Sequence, residues 1–235
     1  MDHYERRTVT RIRLLADPEY TNAFSAYLET FEEIELVNND RPETSDIIFD
    51  VMFLHPEKKL IELSELTANS PIVISNTLTV SATSVQHSIG PKCRVIGMPI
   101  FPHYFEHQKT IEYALPFGTG HSDKEAVDFL ARIGKTGERI NDAIAGVFPR
   151  TLATIVNEAA FAVQESVALP EDIDTAMKLG TNYPMGPLAW CDEIGAPAIV
   201  ATLDALAKEY GPERYRAASI LRRYAEAGIT FIKEC

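Results

Sequence analysis

The stretch that most constrains this chain runs from Ala145 to Gly195. Between Thr151 and Leu169, the residues Leu152, Ile155, Val156, Ala159, Ala160, Val163 and Val167 recur at helical spacing. This spacing predicts a helix about 28 Å long with an apolar stripe along it. Two shorter helices follow, Pro170 to Gly180 and Pro187 to Gly195, each opened by proline and stopped by glycine. Proline at a first helical position loses no donor the helix needs, and glycine suits the turn beyond the end. Between them, Tyr183-Pro184-Met185-Gly186-Pro187 is an elbow with φ fixed at two positions. Trp190 and Tyr183 flank it and read as packing residues. Pro197–Tyr210 and Glu213–Ala227 are further amphipathic helix candidates, punctuated by Gly211 and Gly228. Residues 145–235 therefore read as an all-α domain.

Residues 1–144 carry a different pattern. Arg11–Ala16 is a strand candidate, and a helix from Asp17-Pro18 places Phe24, Tyr27, Leu28 and Phe31 on one face. Asp17 reads as an ordinary cap for that helix. Ile34–Val37 is a second strand, so strand, helix and strand open a parallel α/β unit. Pro71–Thr77 is β-branched and nearly all apolar, as a buried strand should be. Arg94–Met98 is another strand, and Arg139–Ala143 the last before the helices. Ser122, with Glu125 three residues on, caps a helix that runs through Ile133 and ends at Gly134.

Composition excludes several functions. A hydrophobic content of 46% with 24% charged residues describes a globular chain, and no apolar run is long enough to span a bilayer. The opening MDHYERRTVTRIRLL lacks a secretory pattern, and Cys93, Cys191 and Cys235 are isolated. Both features point to a reducing, cytoplasmic setting without disulfides. The net charge of −12 argues against nucleic acid as a partner. It also gives a polyanion no general attraction, so binding one needs a local basic pocket. No metal-ligand cluster or internal repeat stands out.

Four motifs occur in order: Asn157-Glu158-Ala159, Pro170-Glu171-Asp172-Ile173-Asp174, Pro184-Met185-Gly186-Pro187 and Asp192-Glu193-Ile194-Gly195. Together they resemble the 3-hydroxyacyl-CoA dehydrogenase family, which includes the 3-hydroxybutyryl-CoA dehydrogenases. The resemblance covers roughly residues 45–228. It implies a Rossmann-like domain, here with a shortened and mostly parallel sheet, followed by the helical domain. It also implies NAD as cofactor, an acyl-CoA ligand and a homodimer formed through the helical domain, where the stripe on Thr151–Leu169 could serve a twofold interface.

Several positions depart from the family pattern. The turn that should carry GxGxxG reads Leu15-Ala16-Asp17-Pro18-Glu19-Tyr20-Thr21, with no glycine, a proline in place of a donor and two carboxylates. Carboxylates facing a diphosphate repel it. The ribose-binding acid has at most a displaced substitute in Asp40. Ser75 and Asn76 fall in the family's SNTSS stretch and are candidates for substrate binding. The catalytic serine, histidine and asparagine match Leu78, Pro99 and Pro149, and the glutamate that orients the histidine falls near Glu112. Pro99 can neither donate nor accept a proton. His103 and His107 lie close by in sequence, so a dyad rebuilt from one of them with Glu112 is the active-enzyme alternative. A third reading is a dimerising scaffold whose cleft is filled by Leu78 and Phe101. These departures favour a relative that lacks NAD-dependent dehydrogenase activity and binds an acyl-CoA-like ligand or a partner.

Overall fold

The fold is taken from a computed structural model of the chain, which describes residues 9–37, 45–66 and 72–232. It opens with β1 (Thr10–Leu15), α1 (Pro18–Leu28), β2 (Ile34–Leu36), β3 (Ile47–Asp50) and α2 (Pro56–Leu66). Then come β4 (Ile72–Asn76), α3 (Ala82–Ile89) and β5 (Arg94–Met98). The five strands form one parallel sheet in the order β2-β1-β3-β4-β5. Side chains alternate between its faces. Ile12, Phe49, Ile74 and Ile96 meet Tyr20, Phe24 and Leu28 of α1 on one face. Ile48, Val73 and Val95 meet Leu63 of α2 and Val85 of α3 on the other. Coverage on both faces is why β3 and β4 read as unbroken apolar runs. Strand β2 ends at Leu36 and β3 begins at Ile47, with no helix among the described residues between them.

Beyond β5 lie β6 (Thr110–Tyr113), α4 (Lys124–Arg132) and β7 (Thr136–Arg139). Strands β6 and β7 pair in parallel, and an antiparallel bridge between Gly97 and Ala114 ties them to the main sheet. The strand expected at Arg139–Ala143 thus ends where it was expected to start. Asp142 leaves the ladder to accept bonds from Ala82 N (2.8 Å) and Thr83 N (2.7 Å), closing the first turn of α3.

The helical part comprises α5 (Phe148–Gln164), α6 (Pro170–Thr181), α7 (Pro187–Ile194), α8 (Ala196–Tyr210), α9 (Pro212–Tyr215) and α10 (Ser219–Ala227). Helix α5 starts before Thr151 and stops at Gln164, because Ser166 turns left-handed at φ 58°. Val167 and Leu169 are consequently exposed and do not extend the stripe. Helix α6 runs through Gly180, and Asn182 supplies its left-handed end at φ 57°. The expected helix over Glu213–Ala227 is broken. Asn157 donates to Arg216 O (3.0 Å) and accepts from Ala218 N (2.8 Å), taking backbone groups a continuous helix would need. The stripe itself, at Leu152, Val156, Ala159 and Ala160, is buried against α7, α8 and α10 of the same chain. Those residues are not free to form a twofold contact. No described helix is long and apolar enough to cross a membrane.

Candidate functional site

The sheet order reverses between β1 and β3, and in open α/β sheets ligands enter the crevice beyond the strand ends at such a point. Here Asp17 follows β1 and is almost fully buried. Its Oδ2 makes no bond to its own helix, contrary to the expected cap. It accepts instead from Phe53 N at 3.0 Å and Leu54 N at 3.3 Å, on the loop after β3. The carboxylate therefore stands where an incoming anion would find donors. Tyr20, in the first turn of α1, fills the adjoining space, its ring 5.4 Å from Phe53 and 4.7 Å from His103. Burial, followed by the neighbouring charge of Glu19, pushes the Tyr20 phenol pKa up. A diphosphate needs free N–H groups at this helix start. Pro18 has none, Glu19 adds a second negative charge, and the donors across the crevice are engaged. These residues do not fit NAD. Asp40 lies outside the described residues.

Ser75 and Asn76 are both completely buried. Ser75 Oγ donates to Asp50 Oδ2 at 2.6 Å. Asn76 Nδ2 donates to Ile100 O (3.1 Å) and Val51 O (3.3 Å), while its Oδ1 accepts from Leu78 N (3.1 Å) and Ile100 N (3.2 Å). The centre of this knot is Lys59, whose Nζ lies 2.8 Å from Asp50 Oδ2 and donates to Met52 O and Asn76 O. Desolvation lowers the Lys59 pKa and raises that of Asp50, and each partner's charge opposes the other's shift. Nothing in the sequence distinguishes Lys59 from the exposed Lys58 beside it except the helical phase of Leu63.

Three of the four positions matching the dehydrogenase machinery, Pro99, Glu112 and Pro149, line a pocket of about 370 Å³ at the start of α5, together with Tyr104, His107 and Phe148. Glu112 Oε2 accepts from Val147 N (2.7 Å) and its Oε1 from Phe148 N (2.8 Å). It thus closes the N-terminus of α5, a favourable place for a carboxylate. A Cβ on Gly146 would sit 2.5 Å from both Glu112 Oε2 and the Pro99 ring, so glycine is required there. His107 lines the same pocket, largely exposed, with Nε2 3.8 Å from Glu193 Oε1. His103 does not share it: its ring lies against Tyr20. Leu78 and Phe101 are buried in the core. The loop carrying both histidines is pinned by Lys135, which donates to Phe105 O (2.7 Å) and Gln108 O (2.6 Å).

The remaining motif residues join helices. Asp174 accepts from Leu188 N (2.8 Å) and Ala189 N (2.9 Å) at the start of α7. Asp192 accepts from Phe231 N (2.9 Å) and Ile232 N (2.8 Å), anchoring the segment after α10. Trp190 is nearly buried beside Tyr183, with ring centroids 5.6 Å apart.

Sheet order, crevice and appended helices define a Rossmann-type α/β unit joined to a helical bundle. A solved (S)-3-hydroxybutyryl-CoA dehydrogenase from Ralstonia eutropha shares this fold, with a TM-score of 0.71 at 22% identity over 94% of this chain and 95% of its own. Residues 147–231 match the family model for the 3-hydroxyacyl-CoA dehydrogenase C-terminal domain. A probable 3-hydroxybutyryl-CoA dehydrogenase of Bacillus subtilis is 34% identical over 195 residues, covering 80% of this chain and 67% of that protein. A probable 3-hydroxybutyryl-CoA dehydrogenase of Deinococcus radiodurans is 31% identical, covering 88% and 71%. The chain belongs to the 3-hydroxyacyl-CoA dehydrogenase family.

Proposed function

We propose that this chain is a dehydrogenase-like protein of acyl-CoA metabolism that does not carry out NAD-dependent oxidation of a 3-hydroxyacyl-CoA. Its role is to bind an acyl-CoA-like ligand or a partner protein in the cytoplasm. The observation that carries this reading is the Asp17 carboxylate, which holds Phe53 N and Leu54 N across the crevice where a dinucleotide would enter. Leu78, Pro99 and Pro149 at the matching catalytic positions support it, since none of their side chains moves a proton. Pure protein incubated with NAD and 3-hydroxybutyryl-CoA should produce no NADH above the uncatalysed rate. A thermal-shift series should show no stabilisation by NAD or NADH and a rise with acyl-CoA. Protein-dependent NADH formation would overturn the proposal.

One observation favours a second reading, an enzyme with a rebuilt site: His107 and Glu112 line a single pocket. If any acyl-CoA turnover is found, that reading requires His107→Ala to abolish it and His103→Ala to leave it intact.

The helical part is proposed to form a homodimer, as the resemblance implies. Because the α5 stripe is covered internally, the contact must use other residues. The exposed Val167, Leu169 and Leu179 are the apolar candidates. Sedimentation equilibrium at micromolar concentration should give twice the chain mass. A monomer there would count against this assembly.

A further inference from the structure

The chain has an excess of twelve negative charges, so an anionic ligand depends on local positive charge. The pocket at Pro99 does not supply it, because Glu112 and Glu138 both line it and His107 is its only basic side chain. A second groove lies on the other side of the backbone that enters α5. It measures about 730 Å³, within the usual size of a small-molecule site. Arg139 at the end of β7, Arg150 in the first turn of α5, Asn141, Thr151 and Val147 all line it. No carboxylate is among its lining residues.

The two arginines differ in what already holds them. Arg150 is fixed: Nη2 donates to Ile144 O at 3.0 Å, and its guanidinium lies 4.6 Å from the centre of the Tyr210 ring. Its Nε is buried and has no hydrogen-bond acceptor. Arg139 Nη1 bonds Asp123 Oδ2 at 2.8 Å in a largely exposed pair, which water and salt weaken. Two guanidiniums lining one groove, one fixed and one more loosely held, suit a ligand with several charged oxygens, since guanidinium–phosphate hydrogen bonds are charge-assisted. The apolar Val147 side chain, more than half exposed on the groove wall, gives an uncharged portion a surface to lie on.

We infer that the groove between β7 and the start of α5 is a phosphoanion-binding site, with Arg139 and Arg150 as its cationic ligands. Only the identity of its natural ligand, the phosphate end of an acyl-CoA-like molecule, rests on the function proposed above.

Titration calorimetry on the full chain tests this, using inorganic pyrophosphate, coenzyme A and a short acyl-CoA as probes. Pyrophosphate and coenzyme A should both bind, more weakly as salt rises. Arg139→Gln and Arg150→Lys should each weaken binding about tenfold or more, the loss expected for one charge-assisted phosphate contact. Glu138→Gln, which removes a carboxylate next to Arg139 and no cationic ligand, should not weaken binding. Melting curves confirm that the Arg150 variant is folded, and Arg139→Gln serves as the variant that does not touch Ile144 or Tyr210. No binding of pyrophosphate or coenzyme A at millimolar concentration overturns the inference, as does unchanged affinity in both arginine variants. Pyrophosphate bound in an arginine-dependent way, with acyl-CoA not bound, upholds the groove and removes the acyl-CoA reading. Acyl-CoA bound independently of both arginines does the reverse.

Discussion

Gly186→Ala is expected to destabilise the protein by about 1.5–5 kcal/mol, a large share of a typical domain's stability. The backbone at Gly186 has φ −73°, so any residue could adopt it. The obstacle is space. An added Cβ would lie 2.1 Å from Asp174 Cγ and 2.5 Å from its Oδ2. Asp174 cannot withdraw cheaply, because it is nearly buried and receives the first two free N–H groups of α7, from Leu188 and Ala189. The substitution therefore adds an overpacking penalty of about 1–3 kcal/mol to a lost cap worth about 0.5–2 kcal/mol. Gly180→Ala provides the contrast. Nothing lies within 4 Å of its added methyl, and Gly180 sits inside α6. That change should stabilise by about 0.5–1 kcal/mol through the unfolded chain. Urea denaturation of the two variants reads both effects. A near-neutral Gly186→Ala would show that the Asp174–Gly186 contact does not hold α6 to the elbow.

This pairing also shows what could be read from the sequence. The PEDID and PMGP motifs were visible as strings, and the helix starts at Pro170 and Pro187 follow from the φ that proline fixes. Strand Arg94–Met98 was legible in full, because a strand buried on both faces has a continuous apolar signature. That Asp174 caps α7 was not legible, because the bond joins residues 14 positions apart, outside any local period. The same holds for Asp142 on α3, Asn157 on the break before α10 and Asp17 on the loop after β3. Each is a short polar side chain, yet only Asp17 has neighbours that predict a local cap; Asp142 falls in an expected strand, and Asn157 and Asp174 sit within helices. In all four the side chain bonds backbone donors far away in sequence, which no local pattern marks. The candidate site was partly legible for the same reason. The sequence could place Glu112, His103 and His107 near one another along the chain, but not on surfaces of the fold. Only His107 shares a pocket with Glu112, because the turn at Pro102–Tyr104 aims His103 toward α1.

Lys59→Met should cost about 3–5 kcal/mol, the penalty for leaving one partner of a buried ion pair without the other. Lys59 and Asp50 have no solvent-exposed side-chain surface. The ammonium also serves Met52 O and Asn76 O, so the variant strands two carbonyls besides the carboxylate. In the intact protein burial raises the Asp50 pKa, and Lys59 is the largest influence lowering it. Without Lys59 the raising influence dominates, and the native carboxyl holds its proton well above the unfolded value of 3.8. The native state then binds more protons than the unfolded state between those two values. The resulting stabilisation is complete below the unfolded pKa and disappears as pH rises through the native one. The deficit of the variant relative to the parent should therefore be smaller at pH 4 than at pH 7, roughly, by the same linkage. Adding Asp50→Asn to Lys59→Met removes the uncompensated charge and should recover part of the loss at neutral pH, with little change in acid. Denaturation curves for the parent, the single and the double variant across that range decide the matter. A cost below about 1 kcal/mol, or one independent of pH, would mean that water reaches Asp50 and that the knot beneath β3 and β4 is not sealed.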